Sequence, residues 1–248
     1  MGYGMAYRMN NMIKPEARHK VNKARQDLRQ LLRQVSESPA GMLVKEATAI
    51  TGGISKPGKM PGASHNIPAR DCNVGSRLRT VKGSVCHGCY ALKGRYVFPT
   101  VQAALYRRLD ALDHPLWIDA MVVLVGRQRV PFFRWFDSGD LQSIDHLARI
   151  VSVCEQTPHI NHWLPTREYK IVSDYRASRL EPLPSNLTIR LSAHMVDGQP
   201  PTAYGLPTST VTTDRAKRTC PAPDQDNQCG KCRACWNPTV QNVAYGKH

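Results

Sequence analysis

The fold is decided by one ten-residue stretch, Arg134-Trp-Phe-Asp-Ser-Gly-Asp-Leu-Gln-Ser143. An apolar and aromatic run over residues 130–136 ends abruptly in Asp137-Ser-Gly-Asp140, and a helical pattern follows. A buried parallel strand ends in this way when it delivers polar side chains to the edge of a sheet. In α/β proteins the binding and catalytic groups lie at such strand ends.

The same pattern repeats along the chain. Strand-like segments over residues 160–164, 187–192 and 209–213 alternate with helical segments over 141–155 and 169–178. This alternation predicts a parallel sheet with right-handed crossovers. We expect an α/β fold, a partial or compact (β/α) TIM-like barrel with a small C-terminal Cys-rich zinc module. The rim formed by the strand ends then carries Asp137, Arg167, His194 and Asp214.

The segments before this region are less regular. Residues 15–35, 99–113 and 115–126 have apolar side chains at helical spacing and predict three helices. Residues 52–70 contain four glycines and three prolines, which predicts a loop with fixed turns and no regular element. Its basic residues Lys56, Lys59 and Arg70 are candidates for phosphate contacts.

The charge balance points to a polyanionic partner. The 248 residues contain 34 Lys and Arg against 19 Asp and Glu, a formal net charge of +15. An excess of this size favours nucleic acid, although a merely basic protein would show it too. The chain has no apolar run long enough to span a bilayer and no signal-peptide pattern. We therefore expect a cytoplasmic protein without a membrane partner.

Four of the eight cysteines lie close together near the C-terminus, as Cys220, Cys229, Cys232 and Cys235. Thiols at this spacing in an intracellular chain predict metal ligation rather than disulfides. A structural zinc site of four cysteines, or of three cysteines and His248, is the economical interpretation. An iron–sulfur cluster is the alternative.

Three further cysteines form a second candidate site. Cys86-His-Gly-Cys89 presents two thiols on one turn, and Cys72 could supply a third. Three thiolates could also hold an iron–sulfur cluster with one open iron. The alternative is a buried Cys72 beside an ordinary turn. Together with the basic segment, these features divide the chain into residues 1–60, 61–97, 98–215 and 216–248.

Three short features resemble the tRNA-guanine transglycosylase superfamily and its phage relatives that insert 7-deazaguanines into DNA. Asp137-Ser-Gly-Asp-Leu-Gln142 is similar to the family's Asp-Ser-Gly-Gly-Phe-Gln. Leu164-Pro-Thr-Arg167 is similar to the motif that follows its nucleophilic Asp, whose position falls on Asn161. The C-terminal cysteines, with Ala244-Tyr-Gly-Lys-His248, are similar to its zinc site. Uncharacterised phage proteins share the Cys-x-x-Cys-Tyr-Ala signature.

The resemblance implies base exchange on nucleic acid, DNA rather than tRNA, through a covalent glycosyl intermediate. Asp137 would bind the purine or 7-deazapurine base or act as the nucleophile, and Asp140, Asp197 and Asp214 compete for the second carboxylate role. The remaining candidates would bind substrate or nucleic acid. Ser138, Gly139 and Gln142 would read the base, Arg167 and His194 would hold the substrate, and Trp163 would stack on an unpaired base.

Two alternatives stay open. In one, the barrel is a radical-type enzyme with an iron–sulfur cluster on Cys72, Cys86 and Cys89, although their spacing differs from the compact three-cysteine loop of such enzymes. In the other, the protein binds nucleic acid through zinc modules without catalysis.

Overall fold

A computed structural model describes residues 41–247 of the chain. The helix predicted over residues 15–35 and the candidate ligand His248 lie outside the described residues. The described elements run in the order α1 (Val44–Thr51), β1 (Ala63–His65), α2 (Asn73–Leu78), α3 (Pro99–Asp110), α4 (Trp117–Gly126), β2 (Phe132–Trp135), α5 (Ile144–Gln156), β3 (Asn161–Thr166), α6 (Tyr169–Ser178), β4 (Leu187–Val196), β5 (Thr208–Thr212) and β6 (Asn242–Gly246).

The six strands form one sheet, and every neighbouring pair is parallel. Their spatial order follows the chain from β1 to β6. This consecutive order is that of a (β/α) barrel, whereas a doubly wound sheet reverses direction part of the way through. Because β1 and β6 are the two edges, the sheet formed by residues 41–247 is open. The predicted α/β fold with a parallel sheet is confirmed.

Two strands were not predicted. The prediction that residues 52–70 contain no regular element is wrong, since Ala63-Ser-His65 pairs in parallel with Phe133-Arg-Trp135. This strand is only three residues long, with Gly62 before it and Pro68 shortly after it, and so shows no readable periodicity. Strand β6 lies in the tail that was assigned to the metal module.

Helix α5 begins at Ile144 rather than at Leu141. The Ser143 hydroxyl accepts a hydrogen bond from the backbone N–H of His146 at 3.0 Å, and Ser143 is therefore the N-cap. The residues between β2 and this cap form an irregular loop, with a left-handed backbone at Phe136 and Gly139. A loop of this kind can carry functional groups.

The helices cover one face of the sheet. Phe133, Trp135, Leu164 and Ile189 point to that side and pack with apolar residues of α4, α5 and α6. The opposite face, which we call the inner face, carries Phe132 and Trp163 beside Trp236 and Val243 of the C-terminal segment. Buried sheets covered on both faces are typical of parallel α/β folds.

One buried cation fastens the C-terminal segment to the inner face. Arg190 on β4 is fully buried, and its guanidinium donates hydrogen bonds to five backbone carbonyl oxygens. All five N–H groups of an arginine side chain are thereby used. The acceptors are Cys235, Thr208, Val240, Ala234 and Asn237, at 2.7–3.0 Å.

The described residues from Met42 onwards form one compact unit. The predicted boundaries at residues 61, 98 and 216 fall inside it, and strands from three of the four predicted segments share the sheet. No helix between residues 41 and 247 is long and apolar enough to cross a membrane.

Candidate functional site at the carboxyl edge of the sheet

The C-terminal ends of the parallel strands lie along one edge of the sheet, which we call the carboxyl edge. Hydrogen bonds join the loops after β1 and β2 at this edge. The Ser138 hydroxyl donates to the carbonyl of Ile67 at 2.7 Å, and the Ile67 N–H donates to the carbonyl of Ser138 at 3.2 Å. Gly139 adopts a φ of 82°, and a Cβ there would lie 2.3 Å from the Ile67 side chain. Glycine is therefore required by both backbone conformation and close approach.

Asp140 fastens the loop after β2 to the end of β3. The side chain is buried, and its carboxylate accepts from the Thr166 hydroxyl at 2.5 Å and the Arg167 N–H at 2.9 Å. A third bond comes from the N–H of Leu141 at 2.8 Å. Burial raises the pKa of Asp140, and these hydrogen bonds oppose the rise. The carboxylate that was a candidate for the second catalytic role thus holds the loops at this edge together.

Asp137 has a different environment, half-buried at the mouth of the same edge. One carboxylate oxygen accepts from the Ser64 hydroxyl and the other from the Tyr96 hydroxyl, each at 3.2 Å. The Tyr90 hydroxyl donates to the backbone carbonyl of Asp137. Burial and the neighbouring Asp137 carboxylate raise the pKa of Tyr96, which keeps its phenol protonated as a donor.

Cys72, Cys86 and Cys89 are brought to this edge by the loop that follows β1. Cys72 is the residue before α2, and Cys86 and Cys89 are joined in one turn, with the Cys89 N–H donating to the Cys86 carbonyl at 3.2 Å. A Cβ placed on Gly75 would lie 3.5 Å from the Cys72 sulfur and 3.7 Å from the Cys86 sulfur. Thiols that are distant along the chain therefore share one small volume. All three are free and half-buried.

Neighbouring strand ends hold this cysteine loop in place. The Glu168 carboxylate, just after β3, accepts from the N–H of Val74 at 2.7 Å. The N–H of Val85 donates to the carbonyl of His194 on β4 at 2.9 Å, and the N–H of Val196 donates to Gly83 at 2.9 Å. The loop from β1 therefore extends across the ends of β3 and β4.

Burial and neighbouring charged groups shift the pKa values of these thiols. Burial raises the pKa of Cys72, and Asp140, Cys86 and Cys89 raise it further. Burial also raises the pKa of Cys86, while the guanidinium of Arg167 lowers it. The thiol of Cys72 therefore stays protonated unless a cation displaces the proton, as metal ligation does.

Arg167 and His194, predicted as rim residues, do come together. The Arg167 side chain donates to the carbonyl of Ala193 at 3.3 Å, and a ring nitrogen of His194 lies 3.4 Å from the Arg167 carbonyl. Tyr169 stacks on the His194 ring at 4.5 Å between centroids, and its hydroxyl donates to Ser192. His194 lies within β4, which extends beyond its predicted end at residue 192.

The other two predicted carboxylates stabilise turns. Asp197 accepts from the hydroxyls of Thr212 and Thr213, and those bonds lower its pKa. Asp214 caps the short helix that follows β5, accepting from the N–H of Ala216 at 2.9 Å. Both are exposed at the ends of β4 and β5.

A polar cleft opens beside Asp214. Its cations are Arg215, Arg218 and Lys247, and Asp224 lies among them as a partner of both arginines. The cleft is lined by the carboxyl ends of β5 and β6. It therefore lies on the same edge of the sheet as the cysteines and Asp137.

The residues predicted to read the base or bind nucleic acid differ in their exposure to solvent. Gln142 is half-buried, and its side chain donates to the backbone carbonyl of Asp140 at 2.9 Å. Lys56, Lys59 and Arg70 are exposed. Trp163, the proposed stacking platform, is only 5% exposed, because the C-terminal segment covers it.

Asn161 lies at the first residue of β3, the end opposite to the carboxyl edge. The position that corresponds to the transglycosylase nucleophile is therefore remote from Arg167, which follows the same strand. Within the motif Leu164-Pro-Thr-Arg167, the Thr166 hydroxyl donates to the Asp140 carboxylate, and Arg167 places a positive charge at the carboxyl edge.

Sequence reasoning missed Arg134 and Arg190, two arginines on the inner face. The Arg134 guanidinium lies 4.4 Å above the Trp163 ring, in cation–π contact. Each arginine lies within a largely apolar strand, and this could have been noticed in the sequence. A guanidinium buried in a sheet needs dedicated partners, so such an arginine indicates a specific contact.

The four C-terminal cysteines also come together. Cys220 packs against the apolar cluster that contains Cys235, and the N–H of Cys232 donates to the carbonyl of Cys229 at 2.9 Å. Cys235 is buried, with its sulfur 3.0 Å from the hydroxyl of Tyr245 on β6. Among residues 41–247, however, no three His, Cys, Asp or Glu side chains converge tightly enough to hold a single metal ion.

Fold and site together define an α/β protein with an open parallel sheet and two groups of free cysteines, one of them on the loops at the carboxyl edge. The family model described as gene product 88 (GP88) matches residues 40–238. The chain belongs to that family. No curated protein and no solved structure matches it.

Proposed function

We propose that the protein is an iron–sulfur enzyme of the radical type, with Cys72, Cys86 and Cys89 as cluster ligands on a partial (β/α) barrel. The observation that carries the proposal is the placement of the Cys72 and Cys86 sulfurs beside Gly75, with Cys89 on the same turn as Cys86, at the carboxyl edge of the sheet. That edge is where barrel enzymes bind substrate. Three thiolates leave one iron of a four-iron cluster open, and such a cluster supplies one-electron chemistry with S-adenosylmethionine.

The long spacing between Cys72 and Cys86 does not oppose this function. Helix α2 and the turn after it fold the chain back, so that both sulfurs lie beside Gly75. What a cluster requires is proximity of the thiolates in space. A compact loop is one way to supply that proximity, and a folded-back loop is another.

The residues around the thiols have defined tasks in this proposal. Glu168 fixes the backbone just after Cys72. Arg167 lies close enough to Cys86 to offset part of the negative charge that ligation would leave there. Asp140 fixes the backbone N–H of Arg167 and so holds the cation in place. The half-buried carboxylate of Asp137 faces the mouth and is the group we assign to substrate binding.

We further propose that the substrate is carried by nucleic acid, DNA in preference to tRNA. The net charge of +15 supports a polyanionic partner. The cleft with Arg215, Arg218 and Lys247 lies at the same edge of the sheet and would accept phosphates. Thiolate ligands of this kind require a reducing compartment, and we propose the cytoplasm as the place of action.

The test is anaerobic purification of the full chain, reconstitution with iron and sulfide, and incubation with S-adenosylmethionine and a reductant. We expect visible absorbance and release of 5′-deoxyadenosine. Cys86→Ser should abolish that release, while Cys154→Ser, which alters a buried thiol of the helix-facing core, should preserve it. A reconstituted chain that never cleaves S-adenosylmethionine would refute the radical proposal.

A second candidate is base exchange, in which Asp137 handles a guanine or 7-deazaguanine or its sugar. Its support is the placement of Asp137, held by two hydroxyl donors at the mouth. The test is incorporation of labelled guanine or 7-deazaguanine into DNA and tRNA. Exchange lost in Asp137→Ala but kept in Cys86→Ser would favour base exchange over radical chemistry. Salt-sensitive nucleic-acid binding without either activity would favour a non-catalytic binding protein.

A further inference from the structure

We infer that the four C-terminal cysteines, Cys220, Cys229, Cys232 and Cys235, hold a second iron–sulfur cluster rather than zinc. This site is separate from the three thiols at the carboxyl edge. Because four cysteines would occupy all four irons, we assign this cluster to electron storage or transfer, not to substrate binding.

The spacing supports a cluster. Cys229-Gly-Lys-Cys232-Arg-Ala-Cys235 places three cysteines two residues apart in succession, with the fourth supplied from a distance by Cys220. Ferredoxin-type sites use the same succession of three nearby thiolates and one remote thiolate. Structural zinc sites more often use two separated pairs, each on its own turn.

The arrangement of the thiols supports a cluster as well. A zinc ion needs donors that converge on one point, about 2.3 Å from each sulfur. Cys220 and Cys235 belong to one apolar cluster of the inner face, and Cys229 and Cys232 share one turn. In a four-iron cluster each thiolate binds a different iron, so the four sulfurs are held farther apart. Two pairs of thiols held on neighbouring segments suit a cluster, because its ligands need not converge on one point.

The quartet lies on a rigid support. Cys220 is fastened to β6 by its N–H, which donates to the carbonyl of Ala244 at 3.0 Å. Cys229 is fastened to the loop before β1 by a 2.9 Å bond from its N–H to the carbonyl of Lys59. At the other end of the succession, Arg190 binds the carbonyls of Ala234 and Cys235. The ligands are thus held by the sheet rather than by a freestanding finger.

The environment of Cys235 is that of a redox site. Cys235 belongs to the apolar cluster that contains Trp163 and Trp236, and its sulfur lies 3.0 Å from the hydroxyl of Tyr245. Hydrogen bonds to the sulfurs and exclusion of solvent are the two main means by which proteins set cluster potentials. A hydroxyl that donates to a cluster thiolate stabilises the reduced, more negative state and raises the reduction potential.

The test uses the full chain with Cys72, Cys86 and Cys89 all replaced by Ser, so that only the quartet can bind a cluster. After anaerobic reconstitution we expect a brown protein with about four irons and four sulfides per chain and a paramagnetic signal on reduction. Adding Tyr245→Phe should move the midpoint potential to a more negative value. Tyr106→Phe, an exposed tyrosine on α3, is the matched control and should leave the potential unchanged.

A colourless triple variant with one zinc per chain would overturn the inference, and so would a folded triple variant that binds no metal. An unmoved potential in Tyr245→Phe would place the cluster elsewhere and would equally overturn it. The result is independent of the proposed radical function, because the triple variant lacks the ligands on which that function depends. Loss of 5′-deoxyadenosine release with retention of four irons would separate the two sites.

Discussion

Arg190 offers the sharpest test of how the sheet and the C-terminal segment are joined. Arg190→Lys keeps the positive charge but reduces the five side-chain donors to three, so two of the five carbonyls lose their partner. Each buried carbonyl left without a hydrogen bond costs about 1–3 kcal/mol. We therefore expect a loss of about 2–6 kcal/mol in the free energy of unfolding, or roughly 4–24 °C in Tm for a chain of this size.

The assay is urea denaturation followed by tryptophan fluorescence, since Trp236 lies in the segment that Arg190 holds. Arg215→Lys is the matched control, because Arg215 is exposed and pairs with Asp224 at the surface. Exposed pairs contribute about 0–1 kcal/mol, and the control should unfold almost like the parent protein. A change below about 1 kcal/mol in Arg190→Lys would refute the assigned role, since it would mean that water or a shifted side chain satisfies the carbonyls equally well.

Three further predictions concern the carboxyl edge and the core. Gly139→Ala should destabilise the protein by about 2–5 kcal/mol, because it combines a left-handed φ with a steric clash. Gly58→Ala, with open space around it, should change thermal unfolding little. Burial lowers the pKa of His162 from 6.5 to about 3. Neutral His162 contributes its full stabilisation above pH 6.5, and this contribution decreases as the pH falls toward 3, because the unfolded chain then binds a proton that the folded protein does not. In denaturation titrations the free energy of unfolding of the wild type should therefore fall by about 2 kcal/mol more than that of His162→Gln between pH 6.5 and about pH 5. Thr166→Val should cost about 1.5–3 kcal/mol by removing the donor to buried Asp140, and Thr166→Ser, which keeps the hydroxyl, should retain most of that stability; equal losses in the two variants would contradict the assignment.

The central strands could be predicted because their apolar runs are long enough to show a period. Phe132–Trp135 and Asn161–Thr166 lie in segments that end in polar residues, and the structure places those residues at one edge. The three-residue strand at Ala63 offered no period, and the strand at Asn242 follows a cysteine-rich segment that suggested a separate module. In both cases the partner strand, rather than the local sequence, determines the conformation.

The candidate site was predictable in residue type but not in arrangement. Asp137 and Arg167 were identified as rim residues from their positions after strands, which parallel topology is bound to bring together. The proximity of Cys72 to Cys86 depends on a folded-back loop held by Glu168, a contact between distant segments that no spacing rule expresses. Trp163 looked available for stacking only because the sequence does not show what covers the inner face.

The consecutive strand order has a consequence for folding during synthesis. Each strand from β2 to β6 pairs with the strand that precedes it in the chain, so the sheet can form in the order of synthesis. The acceptors of the Arg190 guanidinium are the exception, because four of its five carbonyls lie between residues 234 and 240. Until that segment emerges, the cation faces an uncovered inner surface that water can solvate. We therefore expect Arg190 to become buried only after residues 234–240 have been synthesised and have packed on the inner face.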